Sequence, residues 1–347
     1  MITFTHASDL HVNKKLLYSQ LPEYVIKEIK KNKWIEFEKF LSFSREKKVD
    51  FALISGDTFE REDINLYTEN KILDIFDKYD DIKIFMIFGN HDYYDETISR
   101  FVNSFPKNVY VFKNNNLNFY ELKNINTRIY GMSWTEKFNS NKKFKVELDP
   151  NFYNVFLIHE DLDNNENFYL KNNLSKLQFD YIALGHIHKK FQFKNIFNPG
   201  SLSPSSFKDT GEYGFNYVNL DNALKCEFIR SNNPSFIQIN YDISNISKDD
   251  FIMYFNKLDK NNFYRIIISG YSKIKKIELE SIFLHLQEKF LYIEFIDNSY
   301  FWDIEKINSI KNNLLFREIL KNIELSDNKD KLIELFLEKI GESFEDN

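Results

Sequence analysis

Five short blocks of aspartate, asparagine and histidine constrain the fold of this 347-residue chain more than any other feature. In chain order they are Asp9-Leu10-His11, Gly56-Asp57, Gly89-Asn90-His91-Asp92, Ile158-His159 and Gly185-His186-Ile187-His188. Each block follows a hydrophobic run of the kind that forms a buried strand. The pattern therefore predicts oxygen and nitrogen donors along one edge of a sheet, which is the donor mixture that a pair of bridged divalent cations requires.

The first third of the chain alternates predicted strands and helices. The apolar runs Ile2–Ser8, Phe51–Ser55 and Ile82–Phe88 predict strands, and helical spacing predicts helices over Trp34–Lys47 and Ile64–Tyr79. Residues 12–33 are interpreted as a polar, lysine-bearing insertion without clear periodicity. Short strands separated by polar turns follow residue 108. We expect an α/β fold with two packed sheets flanked by helices.

Three segments are predicted along the chain. Residues 1–231 form the main domain, and 236–300 form a small α/β module after a linker-like stretch around Pro234. Residues 301–347 form a helical tail with an apolar stripe at helical spacing, made of Ile333, Phe336, Leu337, Ile340 and Phe344. The stripe either packs on its own domain or docks on a partner, and the sequence leaves both open.

Composition and charge exclude several classes of protein. The net charge of -6 argues against a generally basic nucleic-acid-binding surface, although it permits a local basic patch. The single cysteine, Cys226, excludes an internal disulfide framework and fits a reducing compartment. We find neither a signal peptide pattern nor an apolar stretch long enough to cross a bilayer, so we expect a cytoplasmic protein without a membrane segment.

The blocks differ in how specifically they indicate a metal site. Two histidines around Ile187, preceded by a glycine that permits close approach, make the last block the strongest. Asn90 offers a neutral oxygen ligand, which leaves His91 free to face a substrate and Asp92 to hold its imidazole in one tautomer. Outside the blocks, His285 is assigned to structure, and His6 is interpreted as a core residue or a residue behind the ligands.

As a set, the blocks resemble those of the calcineurin-like metallophosphoesterase superfamily, over residues 1 to about 220. They look most like SbcD-type DNA-repair exonucleases, including the YhaO-like branch. The resemblance implies a four-layer β-sandwich flanked by helices, with a smaller C-terminal α/β capping domain. It implies a first metal on Asp9, His11 and His188, a second on Asn90, His159 and His186, and a bridge through Asp57. The implied catalytic residues are His91, which stabilises or protonates the leaving oxygen, and Asp92, which orients His91.

The resemblance also implies cofactors and partners. Two divalent ions are expected; Mn²⁺ suits the mixed oxygen and nitrogen donors, and Fe or Zn also satisfies them. DNA is the expected substrate, cut in repair by an exonuclease or endonuclease subunit. An SMC-like ATPase of the SbcC type is expected to dock on the tail, and a homodimer is expected from helices near the site.

Two departures from the family pattern, and two other functions, remain open. Val12-Asn13 stands where many of these nucleases carry glycine, and Glu60 stands where some relatives place a second histidine. Lysines near the blocks either contact phosphates or form a solvated face: Lys14, Lys15, Lys27, Lys30, Lys31, Lys33, Lys189 and Lys190.

The alternative enzyme is a phosphatase, or a phosphodiesterase acting on cyclic nucleotides or other small molecules, because the metal site does not encode the substrate. A non-enzymatic scaffold is the third interpretation.

Overall fold

The protein divides into two compact units, Met1–Ile237 and Gln238–Asn347. The computed structural model describes residues 1–15, 21–136, 146–162, 172–208, 211–221, 223–244, 246–301, 314–324, 332 and 335–336. The boundary between the units falls within the first strand of the small α/β module that the sequence predicts. The assignment of that module as a capping domain stays a prediction.

The first unit is built on two six-stranded sheets that pack face to face. The strands of the first sheet are, in spatial order, β12 (Leu224–Arg230), β11 (Gly214–Leu220), β1 (Ile2–Ala7), β2 (Phe51–Ser55), β3 (Ile84–Ile87) and β4 (Val109–Val111). Strands β1 to β4 are parallel, and β11 pairs with β1 in the antiparallel sense. Because β2 and β3 are buried on both faces, their sequences are almost continuously apolar, as the sequence predicts.

The second sheet repeats this parallel arrangement. Its strands are, in spatial order, β5 (Asn118–Leu122), β6 (Thr127–Gly131), β7 (Tyr153–His159), β8 (Tyr181–Gly185), β10 (Ile196–Asn198) and β9 (Phe191–Phe193). Strands β6, β7, β8 and β10 are parallel. The core between the sheets is rich in aromatic and branched side chains, such as those of Phe4, Phe51, Phe85, Val155 and Tyr181.

Helices cover the outer face of the first sheet. They are α1 (Glu23–Glu46), α2 (Leu66–Lys78) and α3 (Glu96–Val102), and short 3₁₀ turns lie at Arg61–Asp63 and Lys123–Ile125. Phe37 and Phe40 of α1 and Phe76 of α2 pack in the core against this sheet. The prediction of an α/β fold with packed sheets flanked by helices is confirmed.

The interpretation of residues 12–33 as an aperiodic insertion was wrong for its second half. Helix α1 begins at Glu23, and Val25 and Ile29 are buried on the same face as Phe37. Lys33 interrupts this stripe in the sequence, but its side chain is itself buried, with its apolar stem in the helix face. Lys33 is therefore not available to contact a phosphate.

The second unit contains a small sheet and helices of its own. Its strands are β13 (Phe236–Asp242), β14 (Phe263–Ser269), β15 (Tyr271–Ser272), β16 (Tyr292–Asp297) and β17 (Tyr300–Phe301). Strands β13, β14 and β16 form one sheet, and β15 pairs with β17. The helices are α4 (Lys248–Asn256), α5 (Lys276–Gln287) and α6 (Leu314–Glu324).

The structure describes only part of the predicted helical tail. In the predicted apolar stripe of the tail, Phe336 is described, whereas Ile333, Leu337, Ile340 and Phe344 lie outside the described residues. None of the described helices has the length and apolar character needed to cross a membrane. Cys226 lies on β12 as a free thiol.

Candidate metal centre

The five sequence blocks meet at one edge of the sandwich, because the strands before them are parallel within each sheet. Asp9, Asp57 and Asn90 follow the ends of β1, β2 and β3 in the first sheet. His159 ends β7, and His186 follows β8 in the second sheet. The centre is therefore assembled from both sheets.

The first group of donors consists of Asp9, His11 and His188, whose ligand atoms lie within 4.8 Å of one another. Nε2 of His188 is 3.3 Å from Nε2 of His11 and 3.9 Å from Oδ1 of Asp9. Asp9 and His11 are buried, whereas the His188 side chain is 33% exposed. Both carboxylate oxygens of Asp9 accept the backbone N–H of His186, at 3.1 and 3.2 Å.

The second group consists of Asp57, His159 and His186, with Asn90 added by its amide oxygen. Oδ1 of Asn90 lies 3.1 Å from Nε2 of His159 and 2.9 Å from Nδ1 of His186. Nδ1 of His159 is 2.8 Å from the carbonyl oxygen of Ser55, which accepts its proton and leaves Nε2 facing the centre.

Asp57 lies between the two groups. Its Oδ2 is 3.3 Å from Nε2 of His159 and 3.7 Å from Nε2 of His11. Its Oδ1 accepts the backbone N–H of His91 at 2.9 Å. One carboxylate oxygen therefore faces donors of both groups, which is the position that a bridging ligand occupies.

The donors fit two divalent ions by their chemistry and their spacing. Carboxylate and amide oxygens combined with imidazoles suit Mn²⁺, Fe and Zn. The backbone of Gly185 lies close to the Ser55 carbonyl and to the His159 ring. A Cβ on Gly185 would lie 2.0 Å from the Ser55 carbonyl oxygen and 2.7 Å from Nδ1 of His159. The residue before His186 must therefore lack a side chain.

Several donor residues have left-handed backbone conformations. The φ angles of Asp9, His11, Asp57 and His186 are 52°, 45°, 52° and 96°. Non-glycine residues rarely adopt such conformations, and each costs of order 1–3 kcal/mol unless its surroundings hold it. The fold therefore maintains strained backbone at the positions where the donors turn toward one another.

Asp92 does not orient His91, which corrects the role that the resemblance implies for it. Its Oδ1 accepts the backbone N–H groups of Gly89 and Asp57, at 2.6 and 3.2 Å, and its Oδ2 accepts that of Thr58, at 2.7 Å. The carboxylate is buried and ties together the turns after β2 and β3. Asp92 therefore supports the backbone that carries Asp57 and His91.

The carboxylate that contacts the His91 ring among the described residues is that of Glu60. Its Oε2 lies 2.8 Å from Nδ1 of His91, and its Oε1 lies 2.9 Å from Nδ1 of His11. The Asn13 side chain holds the Glu60 backbone, with 2.6 Å to its N–H and 2.9 Å to its carbonyl oxygen. Sequence reasoning noted Glu60 only as a missing histidine; its position three residues after Asp57 was the signal that could have identified it.

Comparisons with known proteins agree with this geometry. Residues 2–190, more than half of the chain, match the family described as calcineurin-like phosphoesterase. The chain belongs to the calcineurin-like phosphoesterase family. The donors of its centre suit two metal ions, and the identity of the metal stays a prediction.

One relative and one solved structure also match this chain. An uncharacterized metallophosphoesterase, YhaO of Bacillus subtilis (strain 168), is 26% identical over an alignment of 249 positions that covers 66% of this chain and 60% of the relative. The match thus spans less than two thirds of the relative's length. The crystal structure of a dimetal phosphatase from Danio rerio has a TM-score of 0.42 and 10% identity, covering 66% of this chain and 96% of the other.

Charge and burial set the protonation of this centre when no metal is bound. Burial by itself lowers the pKa of His159, but the Asp57 carboxylate outweighs it and raises that pKa to about 9. The partner carboxyl responds in the opposite direction, since the nearby imidazoles hold the pKa of Asp57 far below its usual range despite burial. The hydrogen bond to Glu60 raises the pKa of His91. Burial lowers that of His11.

His6 lies behind the centre, as the sequence predicts. Its Nε2 is 2.7 Å from Oγ of Ser55 and its Nδ1 is 3.0 Å from the Tyr181 hydroxyl. Burial lowers the pKa of His6 to about 3, so the ring is neutral and structural. It supports the same Ser55 whose carbonyl fixes the tautomer of His159.

Most of the lysines singled out in the sequence contact acidic side chains. Lys15, Lys27, Lys31 and Lys190 pair with Asp63, Glu23, Glu28 and Glu212, at 2.7 to 3.6 Å. Nζ of Lys14 lies 3.7 Å from Oε1 of Glu60, the carboxylate that contacts His91. A phosphate-binding role for these lysines remains a prediction.

Proposed function

We propose that this protein is a phosphoesterase and acts as a DNA nuclease, which hydrolyses phosphodiester bonds with two divalent ions, most suitably Mn²⁺. The exposure of the substrate side of the centre carries this proposal. The side chain of His91 is 42% exposed and that of His188 is 33% exposed, while Asp9, Asp57 and His159 are buried. An enclosed pocket buries most of a small ligand, whereas an open edge lets a long polymer lie across it.

The donor residues of the centre would bind two metal ions. Asp9, His11 and His188 would hold one ion, Asn90, His159 and His186 the other, and Asp57 would hold both. When bound, two such ions offset the phosphate charge, lower the pKa of a water and align in-line attack.

His91 supplies the proton that the leaving oxygen needs. Its ring stands at the exposed side, and the hydrogen bond to Glu60 at Nδ1 leaves Nε2 for the substrate. Such proton donation typically contributes ~10²–10⁴-fold to the rate. Lys14, Lys189 and Lys190 are the side chains that we propose contact the flanking phosphates.

The test is digestion of end-labelled linear duplex and single-stranded DNA by the purified full chain in Mn²⁺. His91→Ala serves as the inactive control, and bis-p-nitrophenyl phosphate is assayed in parallel. DNA degradation that is lost in His91→Ala supports the nuclease. Turnover of the small ester with intact DNA refutes a stand-alone nuclease and favours a phosphatase or small-molecule phosphodiesterase.

We also propose an SbcC-type SMC-like ATPase as partner, and a homodimer formed near the site. In support of a docking surface, α6 carries Leu314, whose side chain is 83% exposed. A burial site on a partner would remove this apolar surface from water. Co-purification with such an ATPase, weakened by Leu314→Glu, tests the first proposal, and light scattering of the full chain alone tests the second.

A further inference from the structure

The turn Asn198-Pro199-Gly200-Ser201 lies beside the first group of donors. Asn198 ends β10 with its side chain buried. Its Nδ2 donates to the carbonyl oxygen of Ile187 at 2.7 Å, between His186 and His188. Its Oδ1 accepts the backbone N–H of Gly200 at 2.9 Å. The amide thus holds the loop that carries two of the donor histidines.

The same amide reaches the donor segment of the first sheet. Oγ of Ser8, the residue before Asp9, lies 3.3 Å from Oδ1 of Asn198 and 3.1 Å from the carbonyl oxygen of Gly200. Ser8 also forms an isolated parallel β-bridge with Ser201. The end of β1 and the loop after β8, which belong to different sheets, are therefore joined through one turn.

Gly200 permits the closest part of this junction. Its φ is 77°, and a Cβ there would lie 2.7 Å from the His188 carbonyl oxygen and 2.8 Å from the Lys190 nitrogen. The His188 carbonyl in turn accepts the backbone N–H of Ser201 at 3.0 Å. The backbone of His188 is therefore fixed against this turn.

We propose that Asn198 is a positioning residue that sets the distance between Asp9 and His188, and so the affinity of the first metal position. The second position depends on it less, because His159 is held elsewhere. The carbonyl of Ser55 accepts from Nδ1 of His159, and the Trp134 indole N–H donates to the His159 carbonyl at 2.7 Å. A residue that orients ligands in this way typically changes metal affinity ~10–100-fold when removed.

The experiment is calorimetric titration of the metal-free full chain with Mn²⁺, comparing Asn198→Ala with a matched control, Asn154→Ala. Asn154 is also buried, and its Nδ2 donates to the carbonyls of Asp149 and Phe152, at 3.0 and 2.8 Å, at the start of β7. Reference titrations of His188→Ala and His159→Ala assign the two binding events. Thermal unfolding without metal measures the stability that each asparagine contributes.

In Asn198→Ala we expect the binding event assigned by His188→Ala to weaken ~10–100-fold, and the other event, which depends on the same loop only through His186, to weaken less. Asn154→Ala should lose stability and bind both ions as the unaltered chain does. Wild-type affinities in Asn198→Ala, or equal weakening in the two variants, would overturn the proposal. If Asn198→Ala does not fold, Asn198→Ser is titrated and judged by the same criteria. DNA cleavage is not needed for this test, so a chain that binds two Mn²⁺ ions but leaves DNA intact would refute only the nuclease.

Discussion

The two donor groups of the centre differ in how completely the protein assembles them before metal binds. In the second, the Asn90 amide oxygen lies 2.9 and 3.1 Å from imidazole nitrogens of His186 and His159, and the latter ring is buried. In the first, His188 is 3.9 Å from Asp9 and partly exposed. Because pre-organised ligands lose less freedom on binding, we expect the second ion to bind more tightly. One centre can therefore combine a rigid position with an adjustable one.

The substitution Asp57→Asn should have the largest effect, because this carboxylate faces both groups. If each ion supplies ~3 kcal/mol of transition-state stabilisation, losing both lowers the phosphodiesterase rate by about 10⁴-fold. Titration with Mn²⁺ should show that both ions bind more weakly. The control is Asp50→Asn, since Asp50 accepts the Thr3 N–H at the opposite end of β2. Loss of only one binding event in Asp57→Asn would contradict a bridging role.

A smaller loss is expected for His91→Ala, which changes the exposed side of the centre without removing a donor from either group. The proton for the leaving oxygen is lost, so kcat should fall ~10²–10⁴-fold while both Mn²⁺ affinities are retained. Steady-state kinetics and titration measure the two effects separately. His285→Ala, an exposed histidine on α5, is the matched control. Full activity in His91→Ala would exclude it as the proton donor.

The sequence was sufficient to predict which strands end at the centre, since each donor follows an apolar run. Parallel strands place their carboxyl ends together, so the sequence alone groups Asp9, Asp57 and Asn90. The roles of the individual donors remain predictions. What the strand pattern could not provide was the partner of His91, because that contact depends on the turn after β2.

Two features escaped prediction for physical reasons. Glu60 reaches His91 through a turn held by Asn13, and both side chains come from loops without periodicity. The first half of α1 was missed because Lys33 falls on its buried face, where hydrophobic patterning expects an apolar side chain. In both cases a tertiary contact, and not local preference, determines the role of the residue.

Glu60→Gln tests how closely the exposed side is linked to the first group. We expect a ~10–100-fold loss of kcat, because the charge that orients His91 and contacts His11 is removed. Glu60 raises the pKa of His91, and a proton donor is active below its pKa. The alkaline limb of the pH–rate profile should therefore move to lower pH in the variant. Glu62→Gln, which changes an exposed neighbouring residue, is the control. If the pH–rate profile of Glu60→Gln equals that of this control, Glu60 is not the group that orients His91.

The smallest effect expected is a proton released when metal enters the second group. Burial lowers the pKa of His159, but the Asp57 carboxylate outweighs burial and raises that pKa to about 9 in the metal-free chain. Both ring nitrogens of His159 are therefore protonated at pH 7. A metal on Nε2 must displace that proton, so the apparent affinity of the second ion should rise with pH and level off above about 9. Calorimetry in buffers of different ionisation enthalpy measures the release. The event assigned to the first group should release less, because burial lowers the pKa of His11 and keeps that ring neutral. Equal proton release from both events would mean that the two groups are protonated alike before metal binds.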